Sequence, residues 1–161
     1  MSLDMFMYKC DMRTYFDVYL DRGDLINMCQ RALDTDNCDC AEDYNLVFIQ
    51  YWSAANQLYR WFVNHTDVER EHPGPYCIKR DELSLLKNTC GKVIELGVNE
   101  YGEPVAAICE KLLPTLDGPC FGDTSYDENY LCEVQLTFNF LCELLEKTNW
   151  DEEVILLYAD W

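Results

Sequence analysis

The sequence predicts a single α+β domain spanning residues 1–161, with a small, mostly antiparallel sheet packed with four to five helices. Three observations carry that expectation. Residues near both ends read as strands, several internal stretches repeat apolar side chains at three- and four-residue spacing, and 161 residues at 49% hydrophobic and 14% aromatic suffice for one core.

The elements follow in order. Over residues 3–9, Leu3, Met5 and Met7 alternate with Asp4, Phe6 and Tyr8, a period of two that predicts a strand. Phe16, Val18 and Leu20 alternate in the same way, so residues 10–13 are expected to connect a hairpin. Asp24 then caps a helix with Leu25, Met28, Cys29 and Ala32 on one side. Residues 34–45, DTDNCDCAEDYN, have no periodicity and read as an acidic loop. Cys38 and Cys40 within it are the most metal-like pair. However, the chain has neither a C-x2-C pair nor two His at ligand spacing, so a solvated loop is preferred to zinc.

Residues 46–50 predict a short strand running into the helix YWSAANQLYRWFVNH, with Trp52, Ala55, Leu58 or Tyr59, and Phe62 on its inner stripe. Asn56 falls on the same stripe and is read as a core amide bonded to a neighbouring loop, in preference to a site residue. A polar loop follows at about 65–76, and residues 76–79 add a strand. The next helix is expected to be capped by Asp81, to turn Leu85, Leu86, Thr89, Val93 and Leu96 inward, and to end at Gly97. Pro104 starts a short helix with Ala107, Ile108 and Leu112 inward, stopped by Pro114.

The segment 112–130, LLPTLDGPCFGDTSYDENY, gathers turn formers, carboxylates and aromatics into a shaped loop. Ser125 and Glu128 are expected to form a capping box for the long helix behind it. Leu131, Val134, Phe138, Leu141 and Leu145 would face inward, and Glu133, Glu143 and Glu146 outward. Residues 154–161 predict a terminal strand that closes the sheet.

Charge is the strongest bulk signal. Thirty acidic against 12 basic residues give a net charge of −18, and from residue 98 onward there are 14 acidic and 2 basic residues. Such a surface repels nucleic acid and anionic membranes and attracts basic proteins. The start MSLDMFMYKCD does not read as a signal peptide, and no 18-residue apolar run offers a membrane span. A reducing, cytoplasmic setting is expected, with the ten cysteines as thiols.

The start SLDMFMYK, the segment YWSAANQLYRWF, the loop LLPTLDGPCFGDTSYDENY and the ending YADW together resemble a widespread family of small bacteriophage and prophage proteins of uncharacterised function. The resemblance spans the chain with irregular gaps. It implies a phage origin and the cytoplasm of a bacterial host, and it implies no activity. Shared positions include Asp4, Tyr51, Trp52, Asn56, Trp61, Phe62, Gly122, Thr124, Tyr126, Asp127 and Glu128. Ser53 and Ala54 stand where the family has Arg-Lys, Tyr59 where it has His, and Pro119, Cys120 and Phe121 where it has an aromatic turn. The missing basic groups favour protein binding over an anionic ligand.

The expected function is therefore that of a phage-encoded acidic interaction protein. It would inhibit a host defence or nucleic-acid-handling protein, such as a CRISPR nuclease, by occupying its basic groove. The partner-binding residues would be Asp123, Asp127, Glu133, Glu143, Glu146, Asp151, Glu152 and Glu153. The alternative is a small-molecule or divalent-metal-binding protein or enzyme using the 112–130 loop, with Asp4, Trp52, Asn56, Tyr59, Phe121 and Asp127 around the ligand. No nucleophile motif or phosphate loop occurs, so no catalytic residue, resident metal or cofactor is expected.

Overall fold

Apolar and aromatic residues from both ends of the chain meet in the middle of one sheet. The computed structural model describes residues 2–13, 15 and 46–161. Among them the order is β1 (Asp4–Asp11), β2 (Val47–Ser53), α1 (Asn56–His65), β3 (Tyr76–Ile78), α2 (Arg80–Leu96), α3 (Ala106–Leu112), α4 (Glu128–Lys147) and β4 (Glu153–Asp160). The sheet is antiparallel throughout, in the order β2-β1-β4-β3. No described helix is long and apolar enough to cross a membrane.

Each sheet face has its own cluster. Met5, Met7, Trp52, Ile78, Ile155, Leu157 and Ala159 join the helices in the main core, while Tyr8, Cys10, Leu46, Val154, Leu156 and Tyr158 form a second cluster. Burial on both faces explains why β4 reads VILLYA without alternation, and it places β4 inside the sheet beside β1 and β3 instead of at a closing edge. Both edges of β1 are taken by β2 and β4, not by a hairpin partner. The strand expected at 16–20, the helix after Asp24 and the Cys38/Cys40 loop lie outside the described residues.

Several boundaries move from their expected places. Tyr51 and Trp52 belong to β2, not to the helix. Ala54 takes a left-handed φ of 56°, and Ala55 at φ −78°, ψ 63° forms an inverse γ-turn closed by Asn56 N–H donating to Ala54 O, 2.9 Å. No helix can run through that pair, so Asn56 opens α1. At α2, Asp81 sits in the first turn. Glu82 instead accepts from the Lys79 backbone N–H at 2.8 Å, and the Lys79 ammonium has no acceptor to complete a capping box.

The inner stripe of α2 is Leu83, Leu86, Cys90 and Val93, which leaves Leu85 and Leu96 about half exposed. In α3 Cys109 is the buried position, while Ala107 and Ile108 face out. In α4 the buried positions are Tyr130, Val134, Thr137, Leu141 and Leu144, and Leu131, Phe138 and Leu145 flank them half-buried. In all three helices the apolar side chains outnumber the positions that the neighbours can cover, so the sequence stripe does not fix the rotation. Gly97 does end α2, at an ordinary φ; a Cβ there would lie 2.5 Å from Val93 O and 3.0 Å from Cys109 Sγ.

Candidate functional site

The loop 112–130 is held to the core by buried polar contacts. Asn56, fully buried at the start of α1, donates from Nδ2 to Phe121 O at 2.9 Å and Asp123 O at 2.8 Å, and its Oδ1 accepts from Leu116 N–H at 3.0 Å. One amide thus satisfies three backbone groups of an irregular segment, as a core amide bonded to a neighbouring loop should. Arg60 donates to Thr115 O at 2.6 Å, Tyr130 to Leu113 O at 2.8 Å, and Leu3 N–H to Cys120 O at 2.8 Å. Phe121 is buried edge-on against Tyr59, with ring centroids 5.7 Å apart. Gly122, at φ +85°, lies so close to β2–α1 that a Cβ would come within 2.7 Å of Ala54 Cβ.

Between this loop, the β2–α1 turn and the start of α4 lies a cleft of about 250 Å³. It is lined by Ser53, Ala54, Gln57, Thr115, Asp123, Ser125, Asp127, Asn129, Tyr130 and Glu133. Its three carboxylates are held differently. Asp123 accepts from the Ser125 hydroxyl and backbone N–H at 2.8 and 2.9 Å, and those bonds lower its pKa. Asp127 caps α4 by accepting from Tyr130 N–H at 3.0 Å, which takes the role expected of Ser125. Glu133 is half-buried; burial raises its carboxyl, and the hydrogen bond from Gln57 Nε2 at 2.7 Å partly offsets this. No lysine or arginine lines the cleft.

The eight expected partner-binding carboxylates therefore split in two. Asp123, Asp127 and Glu133 meet in the cleft. Glu143, Glu146, Asp151, Glu152 and Glu153 lie at the far end of α4, in the turn that follows and at the start of β4. Glu143 pairs with Lys147 and Glu153 with Lys9, each at 2.8 Å, whereas no described Lys or Arg pairs with Glu146, Asp151 or Glu152. Glu133 and Glu143 are separated by about 15 Å of helix, more than the ~8 Å Debye length at physiological salt. Glu133 is not on the outward face with Glu143 and Glu146 but turns toward Gln57.

The residues of the alternative ligand set are mostly spent on structure. Trp52, Asn56, Tyr59 and Phe121 are buried, with Trp52 Nε1 donating to Thr137 at 3.0 Å and Tyr59 to Arg70 O at 2.8 Å. Burial pushes the Tyr59 phenol up to about 12. Asp4 does not line the cleft and accepts from Tyr51 at 2.6 Å and Ser2 at 2.9 Å. Burial raises its carboxyl, but the bonds from Tyr51, Ser2 and Ser53 outweigh this and leave it lowered. Among the described residues no group of three His, Cys, Asp or Glu could hold a metal ion. His65 stacks on Trp61, and His72 accepts from Gly74 N–H; neither lines the cleft.

Gln57 and Asn129 were not among the expected site residues. A buried Gln next to Asn56 in an otherwise apolar run was the available signal for the first. Chemically, the cleft can receive a cationic group: it offers three carboxylates, four hydroxyl-bearing side chains and no competing cation. Comparison with protein-family models, curated proteins and solved structures finds no match to this chain.

Proposed function

We propose that this protein is an acidic binding module that occupies a basic, nucleic-acid-binding surface of a partner protein and so blocks it. The observation that carries this reading is the excess of exposed carboxylates without a cation on one scaffold. From residue 98 onward 2 basic residues face 14 acidic ones. Of the cluster at the end of α4, Glu146, Asp151 and Glu152 keep no described ion-pair partner. Carboxylates fixed on a helix and its following turn can take the place of phosphates, and long-range attraction steers such an encounter. The resemblance to phage proteins makes a host defence or replication protein, including an RNA-guided nuclease, the partner class to test first.

The test is capture of host proteins on the immobilised chain, beside a variant with Glu146, Asp151 and Glu152 changed to Lys. A basic nucleic-acid enzyme should be held at ~50 mM salt, released by ~500 mM or by duplex DNA, and lost with the variant. Binding that ignores salt, DNA and the charge reversal would overturn the reading.

A further inference from the structure

Beside the acidic cleft runs a second concavity, a trough of about 230 Å³ between β2 and α4, lined among others by Gln50, Trp52, Cys132 and Leu136. The two share Ser53, Asn129 and Glu133 and so form one continuous groove with an apolar and an acidic end. Leu136 is 62% exposed there. Strand β2 is the outer strand, with β1 its one neighbour among the described residues, and Val47, Phe48 and Tyr51 are about half exposed along it.

We infer that this groove receives an extended basic segment of a partner protein, added as a strand along β2. An apolar side chain of that segment covers Leu136, and an arginine or lysine two residues away enters the cleft at Asp123, Asp127 and Glu133. The inference rests on the acidic-module reading and gives it a place and a partner chemistry. An outer strand offers main-chain donors and acceptors to an added strand, while neighbouring pockets select alternate side chains. Side chains on one strand face repeat every ~7 Å, which suits an apolar-x-basic pattern across two adjoining concavities. Charge selects the occupant: three carboxylates without a cation attract a guanidinium or ammonium and repel a phosphate.

The probe is a fluorescent peptide, Thr-Leu-Thr-Arg-Thr-Leu-Thr-Arg-Thr-Leu, which presents the Leu-x-Arg pattern in either strand direction. The full chain should bind it saturably, at least about tenfold more weakly after Leu136→Glu or Glu133→Gln, and not when its arginines are replaced by glutamate. Both substitutions lie at the surface or cleft wall, and a cooperative thermal unfolding transition verifies that the variants fold. Bound peptide should also slow iodoacetamide labelling of Cys132 while leaving the exposed Cys120 and Cys142 unchanged.

No saturable binding by ~1 mM, indifference to both substitutions, or unprotected Cys132 would overturn the inference, as would free arginine binding as tightly as the peptide. If the peptide fails while salt-sensitive capture persists and still depends on Glu146, Asp151 and Glu152, the groove assignment falls and the acidic-module reading stands. If capture also fails, both fall.

Discussion

Asn56 is where one side chain does the most for the site. Replacing it with alanine removes the partner of two carbonyls and one N–H of the loop in a buried to half-buried setting, so Asn56→Ala should cost roughly 1–3 kcal/mol, read from urea unfolding, and loosen the cleft. Glu133 works in the opposite sense. Its folded-state pKa lies above the ordinary 4.5, so its effect favours folding fully below the unfolded value and is lost as pH rises through the folded one. At neutral pH the charged, half-buried carboxylate is a cost. Glu133→Gln keeps an acceptor for Gln57 and should therefore be at least as stable as the parent at pH 7, with the gain vanishing below about pH 4. Denaturation midpoints across pH 3–8 check this; a loss of stability at pH 7 would show that the charge is favourable where it sits.

At the scale of elements, what the sequence makes legible is type more than rotation. Alternating Leu3, Met5 and Met7 specify β1 correctly because a period of two leaves a strand only two faces to choose between. Helix stripes were less decisive: Leu85 and Leu86, or Leu144 and Leu145, offer two adjacent rotations, and only the neighbouring helix selects Leu86 and Leu144 for burial. The β2–α1 junction is not legible because neither Ala54 nor Ala55 carries a turn former's signature, and Ala54 at its positive φ sits against Gly122, a neighbour distant in the sequence. Within the site, Asp123 and Asp127 were readable as loop carboxylates. Glu133 belongs to the cleft only through the rotation of α4 and its contact with Gln57, neither of which local sequence specifies.

Across the whole molecule, charge opposes compactness. Against the self-repulsion of a net charge of −18 stand four described ion pairs, all at least partly exposed and each worth about 0–1 kcal/mol. Added salt should therefore stabilise the fold, raising the melting temperature by roughly 2–4 °C for each kcal/mol of repulsion screened. A fall between ~20 and ~300 mM NaCl would mean that attractive pairs dominate. The interior position of β4 bears on biogenesis as well. Residues 4–11 find their central partner at 153–160, after every other described element has been synthesised. Until that segment arrives, β1 can pair on its β2 side but carries an open edge on the other, and a nascent chain in that state is a substrate for chaperones and a template for aggregation.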